Sequence, residues 1–266
     1  MARPFLLAQL TDLHVMAHGR LARAGVDTPA MVRRCVDHVL ALKQTPDAVA
    51  VTGDLTDHGR PEEYDALREL LARLPMPVYL LPGNHDERQA LRAAFPAHVY
   101  LGQCAERIDY VIEEHPLRII ALDTLIPGQG GGEVADESLA WLAQTLERAV
   151  DRPTVVLMHH PPFTTFVNYM DRCGLRNPEA LAAVLERHPQ VQAVLCGHVH
   201  RPIAVRFAGT LASTSPSPVH QVALDFEPGA PLGLVMEPPA YRLHAYTPAT
   251  GVVSHTMYVG EFAAVQ

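Results

Sequence analysis

Lysine is nearly missing from this chain: Lys43 is the only one among 21 basic residues. Acidic residues number 29, the formal net charge is −8, and no basic block stands anywhere. Dedicated nucleic-acid binders are usually basic, so a polymeric nucleic-acid partner is disfavoured. Long apolar runs are missing too. None approaches the ~18–20 residues that span a bilayer, so no membrane span is expected. The four cysteines, Cys35, Cys104, Cys173 and Cys196, form no Cys-x-x-Cys pair. That spacing speaks against a zinc finger and reads as free thiols in a reducing cytoplasm. The opening apolar run breaks at once into Thr11-Asp12-Leu13-His14 and lacks a small-residue cleavage pattern. It is expected to be a first strand rather than a signal peptide.

What is present is a large apolar fraction, 48% of 266 residues, and 15 histidines. The first allows one sizeable core; the second hints at metal chemistry. No internal repeat or linker is visible. The expectation is a single domain over residues 1–266, with 226–266 a C-terminal strand hairpin extension. Short apolar runs at Phe5–Leu10, Asp47–Thr52 and Pro77–Leu81 read as strands. Helical spacing from Thr28-Pro29 to about Thr45, and over Pro61–Leu74, places helices between them. Such alternation predicts an α/β layered fold with parallel strands at its centre. Arg107–Ile112 and Leu117–Thr124 read as a hairpin, Asp136–Val150 and Pro178–Arg187 as helices, Thr154–Met158 and Val191–Cys196 as buried strands. Phe163–Asn177 reads as a long loop. Ile203–Ala208, Leu211–Ser213 and Val219–Leu224 read as short strands, Glu227–Pro239 as a connector, and Tyr241–Val259 as a final hairpin.

Polar residues cluster where these strands end. Asp12 and His14 follow the first, Asp54 the second, Asn84 and His85 the third, His159 the Thr154–Met158 strand. Gly197-His198-Val199-His200 closes the Val191–Cys196 strand. Side chains two apart share a face of an extended segment, so both of these histidines can aim into one site. Gly197 is expected to let the backbone turn sharply there. Imidazole nitrogens with carboxylate and amide oxygens, without thiolates, suit Zn, Mn, Fe or Co. Seven or eight such donors suggest two ions, and Asp54 is placed in the strand order to bridge them.

Asp-x-His, Gly-Asp, Gly-Asn-His-Asp, His and Gly-His-x-His in this order resemble the signature of calcineurin-like metallophosphoesterases. The resemblance runs from Phe5 to His220. It implies a four-layer α/β/β/α sandwich of two mixed sheets flanked by helices. It implies one divalent ion on Asp12, His14, Asp54 and His200, and a second on Asp54, Asn84, His159 and His198. His160 then packs behind the ligands. Gly59–Tyr64, Met158–Pro162, Met170-Asp171 and Val219-His220-Gln221 look like the class III cyclic-nucleotide phosphodiesterase and bacterial glycerophosphodiesterase branch. That branch implies a small phosphodiester substrate, a substrate-phosphate role for Asn84, His85 and His220, and a homo-oligomer.

The mechanism so implied is attack on phosphorus by a hydroxide held between the two ions. An alkoxide leaves poorly, so a proton donor is needed, and His85 is the candidate. A phosphomonoesterase or nuclease would use the same donors. A catalytically inactive scaffold would be expected to have lost some, and none is missing.

Overall fold

The first three strands are mostly Leu, Val and Ala and are buried along nearly their whole length, the pattern of strands covered on both faces. The computed structural model, which describes residues 3–22 and 25–263, places β1 at Phe5–Leu10, β2 at Ala48–Thr52 and β3 at Val78–Leu81. They pair in parallel, joined by α1 (Thr28–Leu40) and α2 (Pro61–Leu71). Both helices end short of expectation. In α1 the cap is Asp27, whose carboxylate accepts the Ala30 N–H at 3.0 Å. Thr28 is the first helical residue, and its hydroxyl serves the preceding loop instead: it donates to the His14 carbonyl at 2.7 Å and accepts the Met16 N–H at 3.2 Å. After β3 comes α3 (Arg88–Ala94), too short to announce itself by periodicity.

The second sheet holds β4 (Tyr110–Ile112), β5 (Arg118–Leu122), β6 (Thr154–Met158), β7 (Val191–Cys196), β8 (Ala204–Phe207) and β9 (Thr210–Thr214). Its order is β4-β5-β6-β7-β9-β8, with β5, β6, β7 and β9 parallel and the two outer strands antiparallel. Helices α4 (Asp136–Glu147), α5 (Asn168–Arg172) and α6 (Pro178–Leu185) follow β5 and β6. The expected loop Phe163–Asn177 therefore carries one helical turn. Val219–Leu224 contributes only β10 (Gln221–Val222), which pairs with β11 (Leu234–Val235) inside the expected connector. The final hairpin is β12 (Ala240–Thr247) and β13 (Gly251–Tyr258). β12 pairs antiparallel with β1, so the first sheet reads β13-β12-β1-β2-β3.

Alternation along each strand sorts the core into layers. Ile119, Ala121, Val155, Leu157, Ala193 and Leu195 join β1, β2 and β3 in one apolar cluster between the sheets. Their neighbours Ile120, Leu122, Val156, Met158 and Val194 point the other way, onto Leu139, Leu142 and Leu146 of α4 and Leu181 of α6. Val32, Val36, Leu67 and Leu71 cover the first sheet from outside. The result is helix, sheet, sheet, helix.

Two buried carboxylates meet beyond β5. Asp123 pairs with Arg88 at 2.5 and 2.8 Å. Asp109 accepts the Asp123 N–H at 2.7 Å and the Ser138 hydroxyl. Burial, together with the Asp123 charge, pushes Asp109 up to about 6 against those hydrogen bonds. A carboxyl that binds its proton more tightly when folded loses stability as pH rises from its unfolded value, about 4, towards 6. Asp109→Asn is therefore expected to stabilise by on the order of 3 kcal/mol at pH 8 and on the order of 1 kcal/mol at pH 4.5. Thermal unfolding at the two pH values reads the difference. Equal gains at both would mean that Asp109 folds with an ordinary pKa.

Candidate metal centre

Each candidate ligand lies just beyond the carboxyl end of a parallel strand, where polar site residues gather in open α/β sheets. Asp12 and His14 follow β1, Asp54 follows β2, and Asn84 and His85 follow β3. His159 follows β6, and His198 and His200 follow β7. The facing sheets bring all of them together. All but Asn84 and His85 are buried.

The backbone reaches this arrangement by an unusual route. Asp12, His14, Asp54, His198 and His200 have φ of 53°, 42°, 47°, 71° and 54°. Left-handed conformations cost non-glycine residues on the order of 1–3 kcal/mol each and cluster at functional sites. His198 and His200 are thus not an extended pair sharing a face. The chain doubles back between them, with the Val199 N–H on the Gly197 carbonyl at 2.9 Å. Gly197 is needed for room rather than for a turn. A Cβ there would strike the Thr11 hydroxyl and stand 2.7 Å from the Thr52 carbonyl, across the gap between the sheets.

The donors divide into two sets around Asp54. Its Oδ2 lies 3.7 Å from His14 Nε2, and its Oδ1 lies 3.4 Å from His159 Nε2. On the first side, Asp12 Oδ1 is 3.3 Å from His200 Nε2, and His14 Nε2 is 3.2 Å from His200 Nε2. On the second, Asn84 Oδ1 is 3.2 Å from His159 Nε2, and the His159 and His198 rings stand 5.1 Å apart. Asp12 also accepts the His198 N–H on both oxygens at 3.0 Å, tying the β1 loop to the β7 loop.

Hydrogen bonds at Nδ1 decide which nitrogen each imidazole offers. His14 donates to Asp57 Oδ1 at 3.1 Å, His159 to the Thr52 carbonyl at 2.9 Å, and His200 to the His220 carbonyl at 2.9 Å. In the neutral rings Nε2 is then bare and faces inward, as for metal-ligating histidines held by an outer acceptor. Two bare nitrogens 3.2 Å apart repel unless positive charge lies between or beside them. His159 Nε2 likewise meets only oxygen acceptors. Buried His198 Nε2 has no hydrogen-bond partner among the described residues. These converging lone pairs and carboxylates fit divalent cations.

The electrostatics say the same. Burial pulls His159 down, but the Asp54 and Asp12 charges and the Thr52 carbonyl outweigh it and lift it to about 9. The centre thus draws positive charge onto the Asp54 side. Burial and the neighbouring His159 charge hold His198 near 3, which leaves it a neutral donor.

His160 is spoken for. It donates from Nε2 to the Gly130 carbonyl at 3.1 Å and accepts the Thr124 hydroxyl at Nδ1 at 2.8 Å. His85 is exposed, donates from Nδ1 to the Asp57 carbonyl at 2.8 Å, and stands edge-on to His14 at 4.7 Å. The half-buried His220 ring lies 4.8 Å from His200, and its carbonyl, not its ring, orients that residue. His85, Asn84 and His220 line a cavity of about 690 Å³ over the cluster.

Two acids escaped the motif reading. Asp57 orients His14. Asp86 is a buried acceptor of five donors, from Leu55, Thr56 (backbone and hydroxyl), Gly83 and Tyr64. Asp86 was visible as the last residue of Gly-Asn-His-Asp, and Asp57 as a second acid three residues beyond Asp54.

The family model described as calcineurin-like phosphoesterase matches residues 5–202. A probable glycerophosphodiester phosphodiesterase of Arcobacter nitrofigilis is 38% identical over 258 residues, 97% of this chain and 94% of the relative. A 3′,5′-cyclic adenosine monophosphate phosphodiesterase of Pseudomonas aeruginosa is 30% identical over 225 residues, 85% of this chain and 79% of the relative. Among solved structures, a dimetal phosphatase from Danio rerio shares the fold, with a TM-score of 0.66 at 14% identity over 97% of this chain and all of the other.

Proposed function

This chain belongs to the calcineurin-like phosphoesterase family, and we propose that it is a metal-dependent phosphodiesterase of small phosphodiesters, either cyclic nucleotides or glycerophosphodiesters. The observation that carries the reading is Asp54, with one carboxylate oxygen turned to each donor set. Asp12, His14, Asp54 and His200 would hold one ion, and Asp54, Asn84, His159 and His198 the other. Two divalent ions there, Mn, Fe, Co or Zn, would supply the Lewis acidity that acidifies water and offsets charge on the phosphoryl oxygens. Asn84 and His220, which line the cavity beside these donors, would touch the substrate phosphate.

His85 is proposed as the proton donor. Its Nδ1–H is fixed on the Asp57 carbonyl, so a protonated ring carries its transferable proton on Nε2. The Asp54 charge raises His85 against burial, and hydrogen bonding to Asp57 holds the ring at the cavity edge. Removing a general acid costs about 10²–10⁴ in rate where the leaving group is basic.

The test is turnover by metal-reconstituted enzyme of bis(p-nitrophenyl) phosphate against p-nitrophenyl phosphate, with 3′,5′-cyclic AMP and glycerophosphoethanolamine alongside. A diester preference is expected. A monoester preference, or no turnover with two ions bound, would remove the reading. His85→Ala is expected to lose about 10²-fold or more on the natural alkyl esters and much less on the p-nitrophenyl ester. Equal loss on both would reject the acid role.

No helix among the described residues is long and apolar enough to cross a membrane. We read the chain as one cytoplasmic domain, in keeping with four free cysteines. A second copy would pair along the edge strand β13, which has no proline, Lys, Arg, Asp or Glu to block it. A monomer in light scattering would exclude that pairing.

A further inference from the structure

We propose that the cavity wall opposite the candidate ligands selects the organic group of the diester, and that it selects an uncharged group with a broad apolar face, such as an aromatic ring. The inference rests on the phosphodiesterase reading. Three of the wall's five residues, Val222, Leu232 and Leu234, lie beyond the segment that the family model matches, which ends at residue 202.

The cavity has two unlike sides. One is the polar floor of candidate ligands with His85. The other is Leu21, Tyr169, Val222, Leu232 and Leu234. These come from three separate segments: the loop after β1, α5, and the β10–β11 ribbon, where Val222 stands opposite Leu234. Leu21, Tyr169 and Leu234 are 56%, 36% and 37% exposed, although burial would favour them elsewhere. Apolar side chains that converge from three segments on one cavity mark a ligand face.

The wall is anchored to the centre beneath it. Val222 and Leu232 pack with Val167, Met170 and Val199, and Val199 is the residue between His198 and His200. Its position is therefore set by the same turn that aims those two histidines.

Charge narrows the occupant. Among the described residues lining the cavity there is no Lys or Arg, and the five side chains of the wall carry no charge. The lining carboxylates, Asp54 and Asp57, are already engaged: Asp54 accepts the His85 N–H, and Asp57 accepts His14. A cationic head group laid on the apolar wall would give up water there without gaining an anion from it. Arg172 stacks on the Tyr169 ring, its guanidinium carbon 5.4 Å from the centroid, and supports the ring from behind the lining. A polyol would have to strip water from its hydroxyls to cover the wall, and the wall's aliphatic side chains return no hydrogen bond. An apolar ring meets neither objection, and about 690 Å³ gives it room.

The experiment uses three diesters of p-nitrophenol whose second group is methyl, phenyl or 2-(trimethylammonio)ethyl. The leaving group is constant, so differences report the group retained. With metal-loaded enzyme, kcat/KM for the phenyl ester is expected to exceed that for the methyl ester by about tenfold or more, chiefly through KM. The cationic ester is expected to match the methyl ester. Tyr169→Ala combined with Leu234→Ser should bring the phenyl-to-methyl ratio down to within about threefold and leave the methyl ester nearly unchanged. Both side chains are partly exposed, so an unchanged Tm is expected and verifies folding. A wild-type ratio near one, a ratio unmoved by the double variant, or preference for the cationic ester would overturn the proposal while leaving diester hydrolysis intact. No turnover of any of the three would overturn both.

Discussion

Asp54→Asn is expected to remove nearly all turnover while leaving the fold standing. The carboxylate turns a separate oxygen to each donor set, with Oδ2 toward His14 and Oδ1 toward His159. An amide keeps one acceptor oxygen, enough for the His85 N–H now held at 2.9 Å. It loses the second anionic oxygen and the negative charge. Lewis-acid stabilisation is worth several kcal/mol, so a loss of about 10³-fold or more in kcat is expected. Bound metal should fall from two equivalents to one or fewer. A ligand that binds only the folded state, at a thousand times its Kd, adds about 4 kcal/mol. Two such sites should raise the wild-type Tm by on the order of 15 °C, and the variant should keep less than half of that rise. Two equivalents of metal with undiminished turnover in Asp54→Asn would show that Asp54 bridges nothing.

The convergence of the candidate ligands was legible because they obey a positional rule. Asp12, Asp54, Asn84, His159 and His198 each stand one to three residues past an apolar run, and strand ends in parallel sheets converge. What was not legible depends on partners distant in sequence. The left-handed backbone of His198 and His200 follows from a turn pressed against β1 and β2, with the His198 N–H on Asp12, 186 residues away. Extended geometry was the reasonable expectation without that contact. The pairing of β12 with β1 is of the same kind: a hairpin is local, but its place in the first sheet is set by Phe5 opposite Tyr246. β10 and β11 have two residues each, too few to show any period. Periodicity overran α1 because Leu42 continues the apolar spacing past Leu40, where the helix stops. The anchoring acids were hidden differently. Gly-Asn-His-Asp displays Asp86, but only the fold shows that it faces inward to five donors rather than outward to an ion.

Asp86→Ala should therefore act on the centre without touching it. Asp86 Oδ2 accepts the Leu55 N–H at 3.0 Å and the Gly83 N–H at 2.8 Å. Its Oδ1 accepts the Thr56 N–H and hydroxyl, both at 3.2 Å, and the Tyr64 hydroxyl at 3.0 Å. Leu55 adjoins Asp54, and Gly83 adjoins Asn84. One buried carboxylate thus fixes the spacing between the β2 and β3 loops. Removing it strands the Leu55, Thr56 and Gly83 donors and leaves the Tyr64 hydroxyl only the Glu87 carbonyl at 3.4 Å, at about 3–5 kcal/mol. A fall in Tm of about 10 °C is expected in metal-free protein. Metal affinity should weaken by about 10–100-fold, the effect usual for groups that orient ligands. Asp86→Asn retains one acceptor oxygen and should fall between wild type and Asp86→Ala on both measures. Metal-free Tm separates anchoring from charge. If Asp86→Ala melts like the wild type without metal and differs only in ion affinity, Asp86 contributes negative charge to the centre and the loops hold their own spacing.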